Sequence, residues 1–278
     1  DPISQEDYYR FREFFEPHQI RLDPIAGQLA LDQDGLPRAF DAHPTAPTYL
    51  HRRGNEKDPV KTAPLTPRVP ALFAFDDGSI QSIPLPTTEH APETRLHIQR
   101  DHLRRVASQL AKLEGERRSY ESLTSENSAT QLAIIKLQKA TLEAEAQSIR
   151  DTFNANRSQF DPSISESDKR ALKHQANQSY ARWQTSLSQQ KLLEAETALT
   201  GATDDKTKSE LQTQIQDHNR QIEALKTDPP QAPRLSASLK ALESPAETDE
   251  SRRAPYPRYS TGRRRALAQW IASADNPL

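Results

Sequence analysis

Cysteine is absent from all 278 residues, which excludes disulfides, thiolate metal sites, cysteine nucleophiles and covalently attached c-type haem within this stretch. Methionine is absent too, and an opening Asp1-Pro2 without it predicts a piece cut from a longer polypeptide. Only seven glycines occur, a poor supply for phosphate-cradling loops, and no Gly-x-Gly-x-x-Gly, P-loop or Gly-x-Ser-x-Gly pattern is present. No apolar run approaches the roughly 18 residues needed to span a bilayer, and no signal peptide is visible, so no membrane span is expected. Neither charge sign dominates: 37 basic against 39 acidic residues leave a net of -2, which disfavours a polyanion partner. Apolar residues make up 34%, so much of the chain lies outside any thick core.

Proline divides the chain. It is frequent from Asp1 to about Glu89, nearly vanishes through Thr227, and returns from Asp228 to Pro257. Proline removes a backbone donor and blocks helix interiors, so the middle zone is free to form long helices. In the first zone, Ser4 is a candidate N-cap for a helix carrying Tyr8, Phe11, Phe14 and Phe15 and ending at Pro17. Thr48-Tyr49-Leu50 and Val69 to Phe75 read as strands, the second closed by a turn at Asp76-Asp77-Gly78 and confined to an edge by Pro70.

The middle zone carries heptad-like spacing: Leu96, Leu103, Val106, Leu110 and Leu113, then Ile135, Leu142, Ala146, Ile149 and Phe153. Phe160-Asp161-Pro162-Ser163 must turn, and Ser163-x-x-Glu166 matches a capping box for a new helix. The pattern resumes through Leu172, Ala176, Tyr180, Trp183 and Leu187, and again through Leu211, Ile215, Ile222 and Leu225. Two weak points, Thr124 to Ser128 and Thr200 to Asp204, flank Pro162 at similar distances. In an antiparallel hairpin they would sit side by side as a joint, with outer segments reaching some 55 Å to the tip at about 1.5 Å per residue. Asp101 with Arg105, Glu114 with Arg118 and Lys206 with Glu210 are i,i+4 pairs that solubilise the helices more than they hold them together.

The motifs that could carry chemistry are sparse. His97 and His102 are five residues apart and fall on different helix faces, so solvated histidine is the expectation rather than a metal pair. Arg263-Arg264-Arg265 with Tyr256 and Tyr259 has the mix of nucleic-acid contacts, but Ala266, Leu267, Trp270 and Ile271 mark an amphipathic helix whose arginines need only face water or a neighbouring domain. Asp76 and Asp77 read as turn formers. Arg53-Gly54-Asn55 is the one candidate ligand motif, because Arg and Asn can fix a polar ligand while Gly admits close backbone approach; its other reading is a tight structural turn.

Three stretches together resemble a planctomycete cytochrome c-associated multidomain family. Asp1-Pro2-Ile3 through Arg10 with Phe14-Phe15, then Tyr49-Leu50 with Arg53-Gly54-Asn55, and Pro67-x-Val69-Pro70-Ala71-Leu72 are similar to the end of its first domain of unknown function. Tyr256-Pro257, Ser260-Thr261-Gly262-Arg263-Arg264, Ala266-Leu267-Ala268, Trp270-Ile271 and Asn276-Pro277-Leu278 are similar to the start of its second. The resemblance implies a Cys-x-x-Cys-His stretch just before Asp1, an extracytoplasmic location, and c-type haem in the parent protein but no cofactor in this chain.

The expected architecture is mainly α: a long antiparallel helical hairpin, coiled-coil-like, on a small mixed α/β base with proline-rich linkers. Its expected segments are 1–89, the C-terminal part of a mixed domain; 90–228, the hairpin; 229–259, a linker; and 260–278, the first helix of a following domain. The functional expectation is a non-catalytic structural and interaction segment. Its partners are neighbouring domains of the same polypeptide and a protein docked along the hairpin, a second copy being one form of the latter. The alternative is part of an oxidoreductase or hydrolase whose site is completed by other domains.

Overall fold

A computed structural model describes residues 2–73, 80–122, 126–253 and 256–276. The protein is mainly helical, with small antiparallel sheets. It separates into two compact units, residues 1–25, 30–92 and 238–278 in one and residues 26–29 and 93–237 in the other. The second unit is thus an insertion in the sequence of the first.

To place the helices and strands in chain order, α1 (Gln5–Arg12), β1 (His18–Asp23), α2 (Leu31–Asp34), β2 (Leu36–Asp41), β3 (Ile83–Pro84) and α3 (Thr87–His90) precede the insertion. The insertion holds α4 (Leu96–Glu121), α5 (Glu126–Ser158), α6 (Glu166–Gly201) and α7 (Asp205–Thr227). β4 (Leu239–Lys240), α8 (Asp249–Arg252), β5 (Tyr259–Ser260) and α9 (Arg263–Ile271) follow.

In the inserted unit, α5 and α6 form the expected antiparallel hairpin. Gln175 Nε2 donates to Asp151 at 2.9 Å, the hydroxyls of Thr141 and Ser186 lie 2.9 Å apart, and Gln138 Nε2 donates to Glu194 at 2.8 Å. That register sets the breaks at 124–128 and 200–204 side by side, as expected, but the outer segments do not continue the hairpin beyond them. α4 folds back along α5, packing Val106 on Ala146 and Ile149, and α7 folds back along α6, so each helix contacts its neighbours in sequence. An outer segment continuing past the breaks would leave its apolar stripe in water; reversal buries it. The first break lies partly outside the described residues, at 123–125; in the second, Asp204 caps α7 by accepting from Thr207 N at 2.8 Å.

Between two neighbours, α5 is buried on two faces, which explains why Thr141, Glu145, Ser148, Asp151 and Thr152 are buried alongside Ile135, Ala146, Ile149 and Phe153. The start of α6 falls later than the Ser163-x-x-Glu166 pattern predicts. Asp161 takes Ser163 into the turn, accepting from its N and Oγ at 2.9 and 2.6 Å, and Ser165 becomes the cap, accepting from Asp168 N at 3.2 Å. The i,i+4 pairing of Asp101 with Arg105 is also replaced. Asp101 accepts from Gly27 N at 2.7 Å and pairs with Arg104, while Arg105 reaches across to Glu145 on α5. Glu114 with Arg118 and Lys206 with Glu210 do pair, at 3.7 and 4.0 Å. After α7, residues 229–237 run back as an extended strap. Ala232 N donates to Asn177 at 2.9 Å, His102 Nε2 donates to Ser236 O at 3.2 Å, and Leu235 packs on the α4–α5 cluster.

The other unit is built on the antiparallel sheet β2-β1-β4 and the pair β3-β5. Its apolar core gathers Phe14, Val69, Ala266 and Leu267, with Phe11, Ile80 and Trp270 against them. Ser4 caps α1 as expected, in a capping box with Asp7, but Tyr9 is buried where Tyr8 stays exposed, and Ile271 is exposed at the end of α9. The two strands expected at 48–50 and 69–75 are not the strands of the fold. Thr48 makes an isolated bridge to Leu65, and residues 71–73 form a short 3-10 turn; residues 74–79, with the Asp76-Asp77-Gly78 turn, lie outside the described residues.

Phe153, 2% exposed on α5, carries the interior of the helical unit. Phe153→Ala is expected to destabilise that unit by about 3–5 kcal/mol, whereas Leu96→Ala, at a side chain 58% exposed, stays within about 0.5 kcal/mol. Urea denaturation followed by circular dichroism at 222 nm checks both.

Candidate functional site

The charged residues of β1 face inward. Along His18–Asp23 it is Arg21 and Asp23 that are buried, at 3% and 2% exposure, while Ile20 is 48% exposed. Strand side chains alternate between faces, so one register decision put both charges inside together. Register with β2 sets Arg21 opposite Arg38 and ends the pairing at Asp41 beside His18.

Buried charge is tolerated only where it is paired and hydrogen-bonded. Arg21 Nη1 donates to Glu89 O at 2.6 Å, its Nη2 lies 3.2 Å from the Glu89 carboxylate, and its Nε is 2.9 Å from Asp23. That last contact is an ion pair rather than a hydrogen bond, since the Nε proton points elsewhere. Arg38 closes the group, bridging Asp23 and Glu89, and Ser238 donates to Asp23 at 2.7 Å. The guanidinium of Arg21 also stacks over the Tyr256 ring, 4.5 Å from its centroid, and Tyr256 meets Phe40 edge to face at 5.0 Å.

Asp41, at the end of β2, gathers the C-terminal segment. Its Oδ2 accepts from Ser260 Oγ at 2.8 Å, Thr261 N at 2.6 Å and Thr261 Oγ1 at 2.9 Å, and its Oδ1 accepts from Arg264 at 3.1 Å. Burial acts to raise this carboxyl, but the hydrogen bonds from Ser260 and Thr261 and the charge of Arg264 outweigh it, holding it below the ordinary carboxylate value. One residue along, Arg263 donates to Glu13 Oε1 at 2.7 Å and to Glu13 O at 3.1 Å. Glu13 is 1% exposed, and its Oε2 has no hydrogen-bond partner. Burial pushes its carboxyl up to about 7 against the pull of Arg263, with Glu16 adding repulsion.

Gly262 makes this turn feasible. It sits at φ 78, and a Cβ there would stand 1.9 Å from the carbonyl oxygen of Gln81, so only glycine can carry the chain from β5 into α9. Arg21, Arg38, Phe40, Asp41, Glu89 and Arg264 line a cleft of about 400 Å³. Every charged group on its wall is engaged with a neighbour of opposite sign. Chemically, the arrangement holds segments together.

Arg53, Gly54 and Asn55 lie away from this cleft, in an exposed turn between His51 and Pro59. Arg53 and Gly54 both have positive φ, 52 and 74, and the Asn55 side chain accepts from Lys57 N at 3.1 Å. Among the described residues Arg53 makes no ion pair, and a Cβ on Gly54 would meet open space. His97 and His102 are not solvated as expected, whereas His43 and His174 are exposed. His90 is 8% exposed, and burial lowers both it and His102, whose Nε2 is held by Ser236; in His97 the Nε2 is buried. Among the described residues no three His, Asp or Glu side chains group to hold a metal ion, and no helix is long and apolar enough to cross a membrane.

Sequence reasoning passed over Glu13, Arg21, Asp23, Asp41 and Glu89. The available signal was Arg21-x-Asp23, opposite charges two apart in a β-compatible stretch, which share a sheet face. No family model, curated protein or solved structure matches the chain.

Asp41→Ala is expected to cost about 3–5 kcal/mol, because it leaves Arg264 and the Thr261 amide without their acceptor. Arg264→Ala should cost nearer 1 kcal/mol, its side chain being 35% exposed. Denaturant midpoints measure the difference. Glu13 gives a separate pH signature. A carboxyl raised from 4.5 to about 7 by folding contributes stability that is complete below pH 4.5 and is lost as pH rises through about 7. Stability should therefore fall across that window by up to about 3 kcal/mol, and Glu13→Gln should remove the slope.

Proposed function

We propose that this chain is a non-catalytic structural and interaction segment of an extracytoplasmic, cytochrome c-associated polypeptide. In this reading any haem-linked electron transfer belongs to other parts of that polypeptide. One observation carries the reading. The parts of the chain that hold the resembling stretches, residues 1–25 and 30–92 on one side and the segment from Tyr256 on the other, meet in one compact unit, and ionic groups between the stretches join them: Glu13 to Arg263, Asp41 to Arg264, Arg21 under Tyr256.

The helical insertion suits a spacer or docking element. Its long helices carry charge of both signs on exposed faces, in local pairs such as Glu114 with Arg117 and Glu223 with Lys226. Such faces keep a helix soluble and leave it available to a protein partner. The resemblance supports the extracytoplasmic location and the connection to c-type haem.

Two experiments test the reading. Sequencing the coding region on both sides of the chain should reveal Cys-x-x-Cys-His immediately before Asp1 and a secretion signal upstream; a start codon at that boundary would remove the cytochrome connection. In the intact polypeptide, Arg53→Ala with Asn55→Ala should lower thermal stability by about 1 kcal/mol and leave any redox or hydrolytic turnover unchanged. Lost turnover at unchanged stability would instead place part of an active site at this turn.

A further inference from the structure

Within the inserted unit a second cavity has a different electrostatic character. It lies between the end of α5, the stretch of α6 from Lys173 to Asn177 and the returning strap, with a volume of about 260 Å³. That is below the roughly 300–1,000 Å³ of sites for drug-sized molecules, yet large enough for a small ion with several waters at about 30 Å³ each.

Every polar side chain of its lining can donate, the amides and Thr152 accepting as well. Asn156 and Gln159 come from α5, Lys173 and Asn177 from α6, Gln231 and Arg234 from the strap, and no carboxylate is among the residues that line it. The Nδ2 of Asn156 is buried with no hydrogen-bond partner. A buried donor left unmatched is costly, so an acceptor in the cavity would relieve it. The Oδ1 of Asn177 already accepts from Ala232 N, which leaves its amide protons to donate. Lys173 makes no ion pair among the described residues.

Two negative charges nearby oppose this. Glu93 pairs with Arg234 at 3.3 Å from outside the lining. The C-terminal end of α5 contributes roughly half a negative charge. Two full positive charges, on Lys173 and Arg234, outweigh the sum.

We propose that this cavity binds a small tetrahedral oxyanion of the phosphate or sulfate kind, with Lys173 and Arg234 neutralising its charge and Asn156 and Asn177 donating to its oxygens. Four donors arriving from three elements fit a tetrahedron better than a planar group. Occupancy would also tie the strap to the α5–α6 hairpin.

Isothermal titration of the full chain at constant ionic strength tests this, with sodium phosphate, sodium sulfate, sodium acetate and sodium chloride as probes. Saturable one-to-one binding of phosphate or sulfate, with acetate and chloride weaker by at least about tenfold, is the expected result. Lys173→Ala, at an exposed side chain, should fold as the parent does and weaken binding about tenfold; Asn156→Asp should abolish it. Absence of saturable heat with either tetrahedral anion would mean a cavity that holds water only and would overturn the proposal. So would equal affinity for chloride, or binding by Lys173→Ala indistinguishable from the parent.

Discussion

Burying the carboxylate of Asp41 constrains the unit that contains the strands. An ionised carboxylate cannot sit in an interior without donors, and β2 alone has none to offer it. Ser260, Thr261 and Arg264 supply them from more than 200 residues away in sequence. The consequence is topological. The chain after the insertion must return to the end of β2, which sets the pairing of β5 with β3, and the backbone at Gly262 must pass against Gln81 to start α9. Once α9 starts there, Ala266 and Leu267 fall onto Phe14 and Val69, and the apolar core is closed.

The second charged group obeys the same rule by different means. Arg21 and Asp23 share the inner face of β1, so their mutual attraction is available without help, but the guanidinium has more donors than one carboxylate can use. Glu89, its backbone carbonyl and the Tyr256 ring complete its surroundings. Buried ion pairs of this kind contribute little net stability over apolar packing, but breaking one partner is expensive. They therefore specify which segments meet more than how tightly, a property suited to a unit assembled from distant parts of a chain.

The helical unit is governed by apolar seams. α5 has two neighbours and α4 one, so α5 buries serines, threonines and Asp151 that must find partners on α6, while the outer helices keep a single apolar stripe. This division lets α4 and α7 present charged outer faces. A unit organised this way can be lengthened or shortened without touching the charged network elsewhere, which accords with its place as an insertion.

Much of the helical part was legible in the sequence. The scarcity of proline between Glu93 and Thr227, the heptad-like spacing and the turn at Pro162 define the central hairpin, because these are local properties of backbone and side-chain period. Ser4 and the Ser260-Thr261-Gly262 start of the last helix were legible for the same reason. The reversals of α4 and α7 were not, since a polar break says where a helix stops and not which way the chain then turns. Nor was β1, whose buried face is ionic and whose exposed face carries Ile20, the inverse of the pattern that marks a strand, nor β2, of which only Phe40 and Asp41 are buried. By itself the sequence determined the long helices, the Ser4 cap and the absence of thiol and phosphate-loop chemistry. Only the tertiary structure decided that Glu13 belongs with Arg263 and Asp41 with Arg264. Charges search for partners through space, and nothing in their local sequence records where the partner will come from.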